Sequence, residues 1–329
     1  MNNENVKEKN EQASVSPALQ STKALIDEIE KVIVGKHTEI VLLVTAMLAG
    51  GHVLIEDVPG VGKTSLASTL AKTAGLDFRR AQFTPDVMAS DITGFNIYNR
   101  STEQFEFREG LVMTNILLAD EINRASPKTQ SSLLEAMEEN RVTVDGVTYG
   151  VPDPFMVIAT QNPSGYVGTY PLPEAQLDRF AIRLSMGYPT EAEEVNILEG
   201  RRGKNPLDAV RAVTNVDKIR EIRAAVAQIT VDEAVCKYVV ALVQATRKSR
   251  SISLGASPRA SIMLMRLAQA YAFLRGRDYV IPDDVAFVYA PAIAHRLVLS
   301  QEARLNRASE KEILSEILRS VQVPYKAAR

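Results

Sequence analysis

"EDVPGVGKT", residues Glu56 to Thr64, ends in the Gly-x-Gly-Lys-Thr of a phosphate-binding loop. The full pattern, G-x-x-x-x-G-K-[ST], asks for glycine where this chain has Asp57. The surroundings are those the loop requires: the apolar run Val53 to Glu56 reads as a strand before it, and a helix is expected from Thr64 to about Ala74, ending at Gly75. Gly60 and Gly62 let backbone N–H groups approach phosphates at the positive end of that helix. Lys63 is placed to reach the β- and γ-phosphates and the Thr64 hydroxyl to meet Mg²⁺, with Pro59, Val61 and Ser65 completing the nucleotide contacts. Aspartate tolerates unusual backbone dihedrals better than most residues. Asp57 is therefore expected to replace the first glycine without harm, and to add only a nearby negative charge.

Such a loop needs an acidic counterpart at the end of another buried strand. "NILLADE" ends in Asp120 and Glu121, where ligands of open α/β sheets bind. Adjacent carboxylates are ordinarily a solvated strand end. Downstream of a phosphate loop, Asp120 is expected in the Mg²⁺ shell and Glu121 to polarise the attacking water. "VIATQNPSG" ends a further strand at Asn162, a neutral group able to orient water near the γ-phosphate.

The runs "HVLIE", "FRRAQFT", "NILLAD", "FMVIAT" and "AIRLSMG" read as five strands with helical segments between them. Continuous apolar runs suit parallel strands buried on both faces, so a doubly wound α/β core is expected. Before it, a helix from about Thr22 carries Leu25, Ile26, Ile29 and Ile33 on one stripe and stops at Gly35. From about Glu191 strand signals vanish. "DKIREIRAAVAQI", "DEAVCKYVVALVQATRK", "SPRASIMLMRLAQAYAFLRG" and "IPDDVAFVYAPAIAHRLVLS" read as successive helices of a smaller, all-helical domain. The organisation expected is a polar, disordered tail over 1–20, the core over 21–190, and a linker with the helical domain over 191–329.

Composition narrows the function classes. Lys plus Arg total 38 against 40 Asp plus Glu, a net charge of -2, so no global basic field concentrates nucleic acid. The single Cys236 excludes a disulfide within the chain and reads as a small buried hydrophobe. The N-terminus lacks the apolar region of a secretory signal, and "IVLLVTAMLAGG" is well short of the ~20 residues that span a bilayer. No membrane insertion and a cytoplasmic location are expected. His37, His52 and His295 are scattered, with no spacing of a zinc site.

In "VPGVGKT", "QFTPDVMASDITG", "ILLADEINRASPKTQSSLLEAMEE", "ATQNPSGYVGTYPLPEAQLDRF" and "GASPRA", over roughly Ile33 to Arg296, the chain resembles the AAA+ ATPases and, within them, the MoxR family. The resemblance implies a five-stranded P-loop core under a helical lid, with ATP and Mg²⁺ as ligands. It implies Asn162 as sensor 1, Arg179 in "LDRF" as the arginine finger offered to a neighbouring subunit, and Arg259 in "GASPRA" as sensor 2. Val34 and Gly35 in "VIVGK" look like adenine-pocket residues. MoxR-like loops commonly admit an acidic residue at the first-glycine position.

From the residues themselves, Arg179 could simply flank a strand. Arg259 is a cation in a helix's first turn, which fits the dipole poorly and points to a partner such as a phosphate. Arg124 is a further candidate contact. By resemblance, 92–109 is the helix-2 insert and 140–152 a hairpin with an Asp-Gly turn, both facing the pore in related rings; Phe95 and Tyr98 are candidates to grip substrate.

The family also implies a homo-oligomeric ring, a hexamer, doing chaperone-like work on client proteins, often with von Willebrand factor A domains. A nucleic-acid motor is an alternative, though Asp145 stands at the hairpin tip where phosphate tracking favours Lys or Arg. A non-hydrolysing scaffold is another, opposed by the intact Glu121, Asn162, Arg179 and Arg259.

Overall fold

The structure, a computed structural model, describes residues 17–161, 169–200, 202–203 and 205–324. Helices α1 (Pro17–Glu30) and α2 (His37–Leu48) lead into β1 (Val53–Glu56), α3 (Lys63–Ala74), β2 (Phe78–Gln82) and α4 (Ala89–Thr93). The hairpin strands β3 (Gly94–Asn99) and β4 (Gln104–Glu109) precede β5 (Ile116–Asp120) and α5 (Pro127–Glu139). A second hairpin, β6 (Arg141–Val144) and β7 (Val147–Gly150), leads to β8 (Met156–Gln161), α6 (Glu174–Leu177) and β9 (Ile182–Leu184).

The five strands read from the sequence form one parallel sheet in the order β2-β5-β8-β1-β9. Alternate residues of its strands feed two separate cores. Val53, Ile55, Ile116, Leu118, Met156 and Ile158 face α2, α3 and the C-terminal helices. Leu54, Leu117, Ala119, Val157 and Ala159 face α5 together with Phe83 and Phe180. With both faces covered, the three inner strands β1, β5 and β8 are buried at every position but the last, which is why strict alternation is absent from their runs, whereas the edge strand β2 carries Arg79, Arg80 and Gln82. The register sets Asp120 beside Gln82 and Glu56 beside Gln161, so the polar strand ends share one edge.

The chain continues through α7 (Glu191–Gly200), α8 (Pro206–Ala209), α9 (Val216–Ala227), α10 (Glu233–Lys248), β10 (Ile252–Leu254), α11 (Pro258–Leu274) and α12 (Pro282–Ile293). It ends with β11 (Val298–Leu299), α13 (Gln301–Leu305) and α14 (Glu310–Ser320). α9 to α11 match the helices expected, and α12 covers the first part of the fourth, stopping at Ile293 ahead of β11. Their buried side chains join the first core cluster without a break, so core and lid share apolar packing.

Several expectations need correction. α1 begins at Pro17, which suits a first helical turn, and Leu19 and Thr22 extend its buried stripe. Residues 17–20 are therefore helix, not tail. The helix ends at Glu30, and the buried Ile33 lies beyond it. The lid also holds a two-stranded antiparallel ribbon, β10 with β11, too short for its periodicity to register. Cys236 is only partly buried on α10. The Asp-Gly turn of the second hairpin is as expected: Asp145 and Gly146 have φ of 49° and 82°, both left-handed as a two-residue turn of this kind requires. Among the described residues, no helix is long and apolar enough to cross a membrane.

Candidate nucleotide site

The loop after β1 turns through Gly60 and Gly62, with φ of 89° and 92°, conformations that favour glycine. A Cβ at Gly60 would meet nothing within 4 Å, so it is the backbone turn, not crowding, that demands glycine there. Gly62 is the N-cap of α3 and supplies no side-chain cap. The first N–H groups of α3 are thus left to a ligand, at the end where the helix dipole favours an anion. Lys63 is buried, and its Nζ donates to the Asp57 carbonyl at 2.8 Å. Burial pushes its pKa down, opposed by the charges of Asp57, Asp120 and Glu121.

A cavity of about 440 Å³ opens over this helix start, lined by Pro59, Lys63, Thr64, Arg80, Asp120 and Glu121 among others. A second, of about 490 Å³, adjoins it through Gly60, Gly62, Thr64 and Ser65 and reaches Val34, Val61 and Met186. Val34 therefore lines this second cavity. Gly35 (φ 74°) does not line it; it allows close approach of Glu193, whose Oε1 lies 1.8 Å from where a Cβ would stand.

Asp120 and Glu121 are organised by the Thr160 hydroxyl on β8. It donates to Asp120 Oδ1 at 2.6 Å and accepts from the Glu121 N–H at 2.8 Å. Arg80 Nη2 donates to Asp120 Oδ2 at 2.8 Å. Glu121 has a left-handed backbone (φ 55°), a conformation costing a non-glycine residue roughly 1 kcal/mol. Its carboxylate accepts from Gln82 Nε2 at 2.9 Å and pairs with Arg124 at 3.0 Å. Arg80, Gln82 and Thr160 were missed in the sequence. The available signal was the placing of Arg80 and Gln82 two apart on one strand, "FRRAQFT", which register brings beside the acidic pair. Asn162 lies outside the described residues.

Arg179 and Arg259 come together elsewhere. Arg179 Nη1 pairs with Glu138 Oε2 at 2.8 Å and also donates to the Leu134 carbonyl at 2.7 Å. Arg259 Nη2 reaches the other oxygen, Glu138 Oε1, at 2.6 Å. Arg179 and Glu138 line a polar cleft of about 720 Å³ bounded by α5, β6 and β7, which none of the loop residues 59–65 lines. Arg259 pairs with Glu138 and is not among the residues lining the two cavities at the loop of its own chain. Its mismatch with the dipole of α11 is met by a carboxylate. Beside them, Asp178 accepts from Arg296 Nε and Ser257 Oγ, each at 2.8 Å, and fastens lid to core.

Asp57 also departs from its expected role. It is buried, is not among the described residues with left-handed backbone, and its carboxylate has four donors. Oδ1 accepts from the Val58 N–H at 2.8 Å. Oδ2 accepts from the N–H groups of Met186 (2.6 Å) and Gly187 (2.7 Å) and from Ser185 Oγ (3.1 Å). It is a structural anchor, not merely a nearby charge.

Comparison with known proteins gives this geometry a context. Residues 52–182 match the family model described as "ATPase family associated with various cellular activities (AAA)", and 244–317 match the AAA lid domain. The chain is 50% identical over 299 residues to YeaC of Bacillus subtilis (strain 168), covering 91% of this chain and 93% of the relative. It is 42% identical over 308 residues to "Chaperone MoxR1" of Mycobacterium tuberculosis (strain ATCC 25618 / H37Rv), covering 91% and 81%. A crystal structure of a putative ATPase from Cytophaga hutchinsonii superposes with a TM-score of 0.87 at 41% identity, covering 93% of this chain and 96% of that one. A phosphate loop, an acidic strand end and a helical lid in this order, with relatives similar along nearly their whole length, place the chain in the MoxR family of AAA+ ATPases.

Proposed function

We propose that this protein hydrolyses ATP with Mg²⁺ in a homo-oligomeric ring, a hexamer by family resemblance, and uses the cycle to remodel or mature client proteins. One observation carries the hydrolytic reading: the uncapped start of α3, Lys63, Thr64, Asp120 and Glu121 converge on a single cavity. Gly60, Gly62 and the first N–H groups of α3 would hold the phosphates, with Lys63 reaching the terminal ones. Asp120 and the Thr64 hydroxyl form an all-oxygen donor pair that suits Mg²⁺. Bound there, the ion would neutralise charge on the phosphates. Glu121 would accept the proton of the attacking water once its carboxylate is freed from Gln82 and Arg124. Asn162 would orient that water. Because Arg179 and Arg259 sit away from their own phosphate cavity, both are suited to complete the cavity of a neighbouring subunit.

The name of the mycobacterial relative supports chaperone-like work. So do the exposed Phe95, Tyr98 and Phe105 on the first hairpin, with Tyr98 against Phe105 edge to face. Client domains of the von Willebrand factor A type are the class proposed. The test is a paired measurement of binding and turnover. Glu121→Gln should keep ATP affinity and lose at least 100-fold in rate, whereas Lys63→Ala should lose binding itself. Equal loss of affinity in the two variants would refute the assignment.

A further inference from the structure

The loop entrance carries a device the general phosphate-loop motif does not have. In that motif a glycine stands at the position of Asp57. Here its carboxylate fills an internal anion site made by consecutive N–H groups of Met186 and Gly187, the latter with left-handed φ of 60°. Successive N–H groups in such a turn form a concavity suited to an anion. The segment 185–190 is the joint between β9, the last strand of the core, and α7, the first helix beyond it. Met186 and Gly187 also line the second cavity, opposite Gly60 and Gly62. The preceding residue makes a parallel connection: Glu56 pairs with Arg183 at 3.0 Å, and Arg183 faces Glu310 of lid helix α14 at 3.8 Å.

Main chain and side chain of Asp57 face different partners. Its carbonyl accepts from Lys63 Nζ, the cation assigned to the phosphates, and its carboxylate holds the joint. If Lys63 turns to a nucleotide, it gives up the Asp57 carbonyl, and the carboxylate of the same residue, no longer sharing that cation's pull, is free to hold the N–H groups of Met186 and Gly187 more firmly. We propose that Asp57 is a positioning residue that transmits phosphate engagement by Lys63 to the joint between core and lid. The inference rests on the nucleotide reading above, and the experiment separates the two.

Amide hydrogen exchange of Met186 and Gly187 is measured in the full chain, with and without ADP and Mg²⁺, alongside the ADP affinity by calorimetry. In the wild type, nucleotide should slow exchange of these two amides at least tenfold. Asp57→Asn replaces an acceptor oxygen with an NH₂ group that faces donors. It should speed their exchange without nucleotide, abolish the nucleotide response and weaken ADP binding about tenfold, the scale of a lost bond to a charged group. Asp57→Gly, which restores the general motif, should behave likewise. Full nucleotide-dependent protection in either variant overturns the proposal. Should both fail to fold, Ser185→Ala decides, because it removes one donor from the joint side. A response reduced two- to threefold supports the link, and an unchanged one overturns it. Failure of the wild type to bind ADP would instead sink the nucleotide reading.

Discussion

Glu121 is the residue on which turnover is proposed to depend, and two donors occupy its carboxylate. A lone pair that already accepts a hydrogen bond is not open to the proton of an attacking water. Gln82→Ala removes one of the donors. It should leave ATP affinity unchanged and raise the basal rate two- to fivefold; a fall in rate would show instead that Gln82 aims the carboxylate. Gln82 also marks the boundary of what a linear sequence shows. Lys63, Thr64, Asp120 and Glu121 are legible because each belongs to a local pattern of strand, loop and chemistry. Gln82, Arg80 and Thr160 gain meaning only when β2 and β8 flank β5 in register. Asp57 was misjudged for a related reason: three of the four donors to its carboxylate come from residues 185–187, far along the chain.

At the level of elements, His52 ties three of them at the mouth of β1. Its Nδ1 accepts from the Val157 N–H of β8 at 2.9 Å, so Nε2 carries the proton and donates to the Met137 carbonyl of α5 at 3.0 Å. Only the neutral ring can make both bonds. Burial lowers its pKa to about 4, with Arg223 acting in the same direction and the bond to Met137 opposing. The folded pKa lies below the unfolded value of about 6.5. The contribution is therefore complete above pH 6.5 and is lost as pH falls from there through 4, a span worth on the order of 3 kcal/mol. His295, buried against the Phe180 carbonyl, is shifted the same way, chiefly by burial. Denaturant midpoints should fall across pH 6.5 to 4, and His52→Gln should flatten part of that slope at a cost in stability at pH 7.5. An unchanged slope would remove His52 from the account. Element boundaries were less legible than elements: the start of α1 and the ribbon β10–β11 depend on packing against distant segments, which short windows of sequence do not carry.

For the whole molecule, the proposed ring makes hydrolysis depend on contact between subunits. An arginine completing a neighbour's site is worth ~10³ to 10⁵ in rate in phosphoryl transfer. Specific activity should rise with protein concentration as rings form. Arg179→Ala keeps its own pocket and Lys63→Ala keeps its own arginine, so mixed rings should recover part of the activity that neither has alone. No recovery, with shared rings seen by native mass spectrometry, would show that Arg179 does not act in trans. DNA should leave the wild-type rate unchanged at physiological salt. The hairpin tip is acidic at Asp145, and its carboxylate already accepts from Asn96 of the neighbouring hairpin at 2.8 Å. Several-fold stimulation by DNA would favour the nucleic-acid motor.

The shared carboxylate of Glu138 gives such a ring a discriminating contact. A lone subunit pairs both arginines with the two oxygens of one internal carboxylate, so docking a neighbour is an ion exchange in which an incoming anion has to displace a resident one. A single carboxylate is a modest competitor for a terminal phosphate and a strong one against a nucleotide that has lost it. The boundary between two subunits is then expected to tighten with ATP and relax after hydrolysis, as each arginine pair returns to its own Glu138. Glu138→Gln should blur that distinction, giving rings whose sedimentation no longer differs between ATP and ADP, and a variant that sediments like the wild type in both nucleotides would remove Glu138 from the exchange.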